Sequence, residues 1–90
     1  QKSGYENGVS IAAIHLVRAF QNLNQPQKAA FYFQVLRKST DKIKDREILL
    51  GNYQSIYEYY DKLNNAPQTL RYLKKYIALK DSIQNLEKEK

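Results

Sequence analysis

Ninety residues bound this chain to at most one small domain, whose lone core would bury only about 60–65% of the unfolded surface. The absence of cysteine excludes disulfides and thiolate metal sites, and no apolar run reaches the roughly eighteen residues that a membrane-spanning helix requires. Fifteen basic against nine acidic residues give a net charge of +6, which favours acidic partners, nucleic acid or anionic membrane surfaces without choosing among them.

Apolar spacing and breakers predict four helices. The first runs from about Glu6 to Leu23, with Val9, Ala12, Ala13, Leu16, Val17, Phe20 and Leu23 recurring at three and four residues. Asn24, Gln25 and Pro26 end it, since the residue before a proline is pushed out of the helical region. The second runs from about Gln27 to Ile43, with Ala29, Ala30, Phe33, Leu36, Ser39, Thr40 and Ile43 as its inner stripe and a break at Lys44 and Asp45. The third runs from about Arg46 to Leu63, with Leu49, Tyr53, Ile56, Tyr57, Tyr60 and Leu63 facing inward. Asn64, Asn65 and Ala66 break it, and Pro67 opens a fourth helix to about Ile83 or beyond. Tyr5 is expected to pack under the first junction, and Tyr59 stands off the inner stripe.

An internal repeat underlies this pattern. At an offset of 40 residues Ala13 falls on Tyr53, Leu16 on Ile56, Val17 on Tyr57 and Phe20 on Tyr60. Leu23 then falls on Leu63, Asn24 on Asn64, Phe33 on Leu73 and Leu36 on Tyr76. Two copies of a helical hairpin imply a solenoid, in which each hairpin covers its neighbour's apolar face. The same offset matches Gln1-Lys2-Ser3 with Asp41-Lys42-Ile43, so residues 1–4 are expected to close a preceding repeat with Gly4 as a left-handed cap. The expected organisation is then one repeat over 5–44, a second over 45–83, and the start of an extension helix over 84–90. Tyr72, Tyr76, Leu79, Ile83 and Leu86 are spaced 4, 3, 4 and 3, a short coiled-coil-like seam.

Leu16, Phe20, Leu23, Ala29 and Phe33, with Ile56, Tyr60, Leu63, Thr69 and Leu73 in the second copy, resemble the signature positions of tetratricopeptide (TPR) repeats. Val17 and Tyr57 depart from the small residue usual there, Tyr76 departs from a usual alanine, and the period is 40 against about 34 in the common form. The stretch Ile56-Tyr57-Glu58-Tyr59-Tyr60 with Leu70 to Ile83 resembles the last repeats of TPR arrays in bacterial sensor histidine kinases and related regulators. The resemblance implies an all-α, TPR-like α-solenoid fragment of two antiparallel helical hairpins in a right-handed superhelix. It also implies a periplasmic or cytoplasmic part of a membrane-linked, two-component-type signalling protein.

The resemblance further implies a concave partner-binding face on the first helix of each hairpin. The positions are Ile14, Arg18, Gln21 and Asn22, then Gln54, Glu58, Asp61 and Lys62, flanked by Ile11 and Gly51. Glu58 would repel a carboxylate, which argues against a clamp for a chaperone's C-terminal tail. The lone His15 has no acid nearer in sequence than Glu6, and there is no phosphate-binding glycine loop and no carboxylate pair at a helical metal spacing. No catalytic, cofactor-binding or metal-ligating residues are therefore expected, and no enzyme activity. Arg37, Lys38, Lys42, Lys44 and Arg46 cluster at the second junction, and Arg71, Lys74, Lys75 and Lys80 lie on the fourth helix. Because the tyrosines sit on apolar stripes, a solvated convex face is favoured over nucleic-acid binding.

The expected function is a protein–protein interaction scaffold that takes a protein or peptide segment. The alternatives are a structural spacer that self-associates through its C-terminal helix or its cut ends, and a basic nucleic-acid-binding helical module.

Overall fold

A computed structural model describes the backbone of residues 2–88 and the side chains of residues 4–85. It is all-helical, with α1 Lys2–Asn22, α2 Pro26–Thr40, α3 Arg46–Lys62 and α4 Ala66–Lys88, and no strand among the described residues. The chain divides into two compact units, Gln1–Asn52 and Tyr53–Lys90, and α3 runs through the boundary.

The helix ends explain the reversals. α1 stops with Asn24 at φ 56°, the left-handed conformation that asparagine tolerates better than most residues. The Gln25 N–H donates to the Phe20 carbonyl at 2.9 Å and the Asn24 N–H to the Gln21 carbonyl at 3.1 Å. This is a Schellman closure, which satisfies carbonyls the helix would otherwise leave bare. Pro26 then occupies the first turn of α2, where its missing N–H costs nothing. α3 ends in the same way. Asn64 stands at φ 59°, the Asn65 N–H reaches the Tyr60 carbonyl at 3.0 Å, and the Asn64 N–H reaches the Asp61 carbonyl at 3.0 Å. Each bond lies 40 residues from its counterpart, so the sequence offset is also an offset in backbone geometry.

The remaining starts are capped by side chains. Asp45, expected as part of a break, is the N-cap of α3: its Oδ1 accepts the N–H groups of Glu47 at 2.9 Å and Ile48 at 3.1 Å. Asn65 caps α4 through the Gln68 N–H at 3.3 Å, while the Thr69 hydroxyl donates to the Asn65 carbonyl at 2.8 Å.

In the first unit α1 and α2 pack together as a helical hairpin. Ala13 and Val17 of α1 meet the requirement for a buried stripe, as do Ala29, Phe33 and Leu36 of α2, and Ile43 beyond it is buried as well. In the second unit Ile56 and Tyr59 are buried, and the α3 and α4 stripes are joined by tyrosine pairs: Tyr57 with Tyr76 at 5.5 Å and Tyr60 with Tyr72 at 6.0 Å between ring centroids.

Several expectations are corrected. α1 begins at Lys2, so Gly4 is helical, and no glycine among the described residues has a positive φ; the left-handed cap at Gly4 is not formed. α2 stops at Thr40 instead of Ile43, because the Lys42 N–H turns back to the Ser39 carbonyl and the Ile43 N–H to the Thr40 carbonyl. Tyr5 is 70% exposed instead of packed, and Tyr59 is buried. Ala12, Leu16, Leu23 and Leu63, all placed on apolar stripes, are exposed. Leu23 and Leu63 sit at the residue where each helix unwinds into its left-handed turn, so their side chains leave the helical face. The break due at Ile83 does not occur, since α4 continues to Lys88. Leu86, the last position of the coiled-coil-like seam, has its side chain outside the described residues, and Gln1, Glu89 and Lys90 lie outside them altogether.

Candidate functional site

The expected partner-binding positions fall into two groups, one in each unit. On α1, Ile14 and Gln21 are half-buried while Arg18 and Asn22 are exposed. Ile14, Arg18 and Gln21 recur at four and three residues and so share one helical face. On α3, Gln54 and Glu58 are half-buried, and the Gln54 Nε2 donates to a Glu58 carboxylate oxygen at 3.1 Å; Asp61 and Lys62 are exposed. The backbone carbonyls of Gln21 and Asp61 are both committed to the Schellman turns. The structure thus joins Gln54 with Glu58 directly and leaves each group polar, with one apolar position, Ile14. Of the flanking positions, Ile11 is exposed and Gly51 half-buried.

Aromatic side chains with nearby cations form a second surface feature. In the first unit Phe20 stacks on Tyr32 at 5.6 Å with planes 8° apart, Phe31 meets Tyr32 edge-on, and the Lys28 ammonium lies 5.5 Å from the Phe20 ring centre. In the second unit Lys75 stands about 6 Å from both Tyr53 (5.9 Å) and Tyr72 (6.0 Å), and Lys80 lies 5.8 Å from Tyr76. These are cation–π distances. Burial, then the neighbouring Glu58 and Tyr76, push the Tyr57 phenol above its usual range. Burial and then Tyr60 do the same to Tyr59.

The most ordered polar chemistry lies in the interior of the first unit. Ser10, Ser39, Thr40 and Asn52 are all buried, Asn52 completely. The Asn52 Nδ2 donates to Ser10 Oγ and to Thr40 Oγ1, each at 3.0 Å. Thr40 donates to the Leu36 carbonyl at 2.7 Å and Ser39 donates to the same carbonyl at 3.0 Å. Because the Ser39 proton is so used, the 2.7 Å contact between Ser10 and Ser39 has Ser10 as donor. Both branches leave the Asn52 amide and converge on one carbonyl. The Asn52 Oδ1 is buried with no hydrogen-bond partner, and the reverse amide orientation would strand two donors instead of one acceptor.

Ser39 and Thr40 were legible as part of the α2 stripe, whereas Ser10 and Asn52 were not. Both are polar residues on helices whose spacing is set by apolar ones, and only their convergence in space identifies them. His15 is exposed on α1, and among the described residues no three His, Asp or Glu side chains gather as a metal site would require. No helix among the described residues is long and apolar enough to cross a membrane. No protein family, curated protein or solved structure matches this chain.

Proposed function

We propose that this chain is a TPR-like segment of a right-handed α-solenoid that acts as a protein–protein interaction scaffold, the docking or sensory part of a larger bacterial signal-transduction protein. The observation that carries the reading is the pair of Asn-centred turns, which close two helical hairpins with the same hydrogen bonds at one 40-residue offset. Repetition at a fixed period is how stacked hairpin arrays are built, and such arrays present extended surfaces to partners. In this reading α1 and α3 offer Ile14, Arg18, Gln21 and Asn22, and Gln54, Glu58, Asp61 and Lys62, to a polar protein segment, and the chain performs no reaction.

Photo-crosslinking in the full-length protein tests this. A crosslinking residue at Ile14 or Glu58 is expected to trap one defined protein. The same residue at Lys38, exposed on α2, is expected not to. Equal labelling from all three positions, or none, would remove the assignment of that face.

A further inference from the structure

We propose that the outer face of α4 docks an acidic amphipathic helix of a partner protein. This rests on the interaction reading above and names a different surface from the α1 and α3 positions. Leu70, Leu73 and Ile77 are spaced 3 and 4 and form one stripe. Leu70 is 52% exposed and Ile77 49%. At 3.6 residues per turn the stripe is bordered by Lys74 on one side and Lys80 on the other.

Two observations identify the occupant. The first is an internal precedent. Leu73 and Lys80 match Phe33 and Thr40 at the 40-residue offset, and both of those are buried. Thr40 takes the Asn52 amide from the opening turns of α3, so within the first unit a helix already lies over the matching position. On α4 that position carries Lys80, exposed, with its ammonium near the Tyr76 ring. The second is charge. Between Ala66 and Asn85, α4 carries Arg71, Lys74, Lys75 and Lys80 against the single acid Asp81. A helix with leucines or isoleucines at the same spacing and Glu or Asp on its flanks meets both requirements. A second copy of this chain meets them poorly, since it is itself net positive. An anionic membrane surface shares the charge argument, but Asp81 stands one turn after Ile77, where an inserted stripe would place it among lipid.

The test uses the whole chain and three probes: a synthetic helical peptide with leucines at three- and four-residue spacing flanked by glutamates, its isomer with lysines in place of the glutamates, and phosphatidylglycerol vesicles. The acidic peptide is expected to bind at least about tenfold more tightly than the basic isomer, a difference of about 1.4 kcal/mol. Ile77→Asp, at an exposed position, is expected to weaken that binding about tenfold, again about 1.4 kcal/mol. The double variant Lys74→Glu, Lys80→Glu is expected to invert the peptide preference. Absence of a preference for the acidic peptide, or insensitivity to Ile77→Asp, overturns the proposal. Vesicle binding lost with Ile77→Asp overturns it in favour of a membrane. Crosslinks from Ile14 and Glu58 that persist in the Ile77→Asp variant would leave the broader interaction reading standing when this one fails.

Discussion

The two hairpins share a turn but not a core. Where the first buries Val17 and Leu36, the second places Tyr57 and Tyr76, edge to face and half-exposed. Where the first has Ala13 and Phe33 inside, the second has Tyr53 and Leu73, again half-exposed. Aliphatic side chains of modest size let the α1 and α2 backbones approach, and the pair is finished by hydrogen bonds from Asn52. Tyrosines hold the second pair through ring contacts whose hydroxyl ends remain wet. The comparison teaches that a repeat can conserve its punctuation, which backbone geometry dictates, while its filling drifts with whatever covers each face.

Core truncation should separate the hairpins most sharply. Leu36→Ala removes a fully buried side chain and is expected to cost about 2–5 kcal/mol, a large share of a small domain's stability. Leu73→Ala, at a half-buried site, should cost about half as much, and Leu63→Ala, at 55% exposure, should fall within about 0.5 kcal/mol. Urea midpoints for the three variants rank them, and equal losses would break the contrast.

The buried network comes next. Asn52→Ala strips donors from Ser10 and Thr40 and is expected to cost about 1–3 kcal/mol. Hydrogen exchange should report faster opening of amides near Ser10 and Ser39, with those after Tyr60 little changed. A uniform loss along the chain would show the network to be no more local than the rest of the core.

The turns test what the hairpins hold in common. Asn24→Ala and Asn64→Ala each force alanine into the left-handed region at about 1 kcal/mol, and the two losses should agree within a few tenths. Thermal melts that differ strongly would deny that the turns are equivalent.

The smallest effect is confined to alkaline solution. Burial raises the Tyr59 and Tyr57 phenols in the folded chain, so the unfolded chain loses those protons first. Their contribution is fully present below pH about 10 and is lost as pH climbs through the raised folded values. The double variant Tyr57→Phe, Tyr59→Phe should show a shallower fall in urea midpoint between about pH 9 and 11 than the parent chain.

Four helices and both Asn-Pro reversals were legible because spacing and proline act locally. The α2 inner stripe was legible residue by residue, down to Ser39 and Thr40. The start of α1 was not, since Gly4 marks a break by propensity and helical pairing with α2 overrides it. The fate of Leu23 and Leu63 was hidden because apolar spacing continues one residue past the point where the backbone unwinds. Tyr59 was left open because burial on a second face has no period of its own. The eight partner-binding positions came from resemblance, and of these the structure joins only Gln54 to Glu58.

The circuit that ends on the Leu36 carbonyl has a direction. Each hydroxyl proton in it is assigned by the demand of the next acceptor, so none of the four side chains can rotate alone. Replacing any one of Ser10, Ser39, Thr40 or Asn52 leaves another with an unmet need. Their substitution costs should therefore not sum, and natural descendants of this sequence should exchange these residues together or keep them all. The interior of the first hairpin is inherited as a set, while the tyrosine face of the second is free to change one residue at a time.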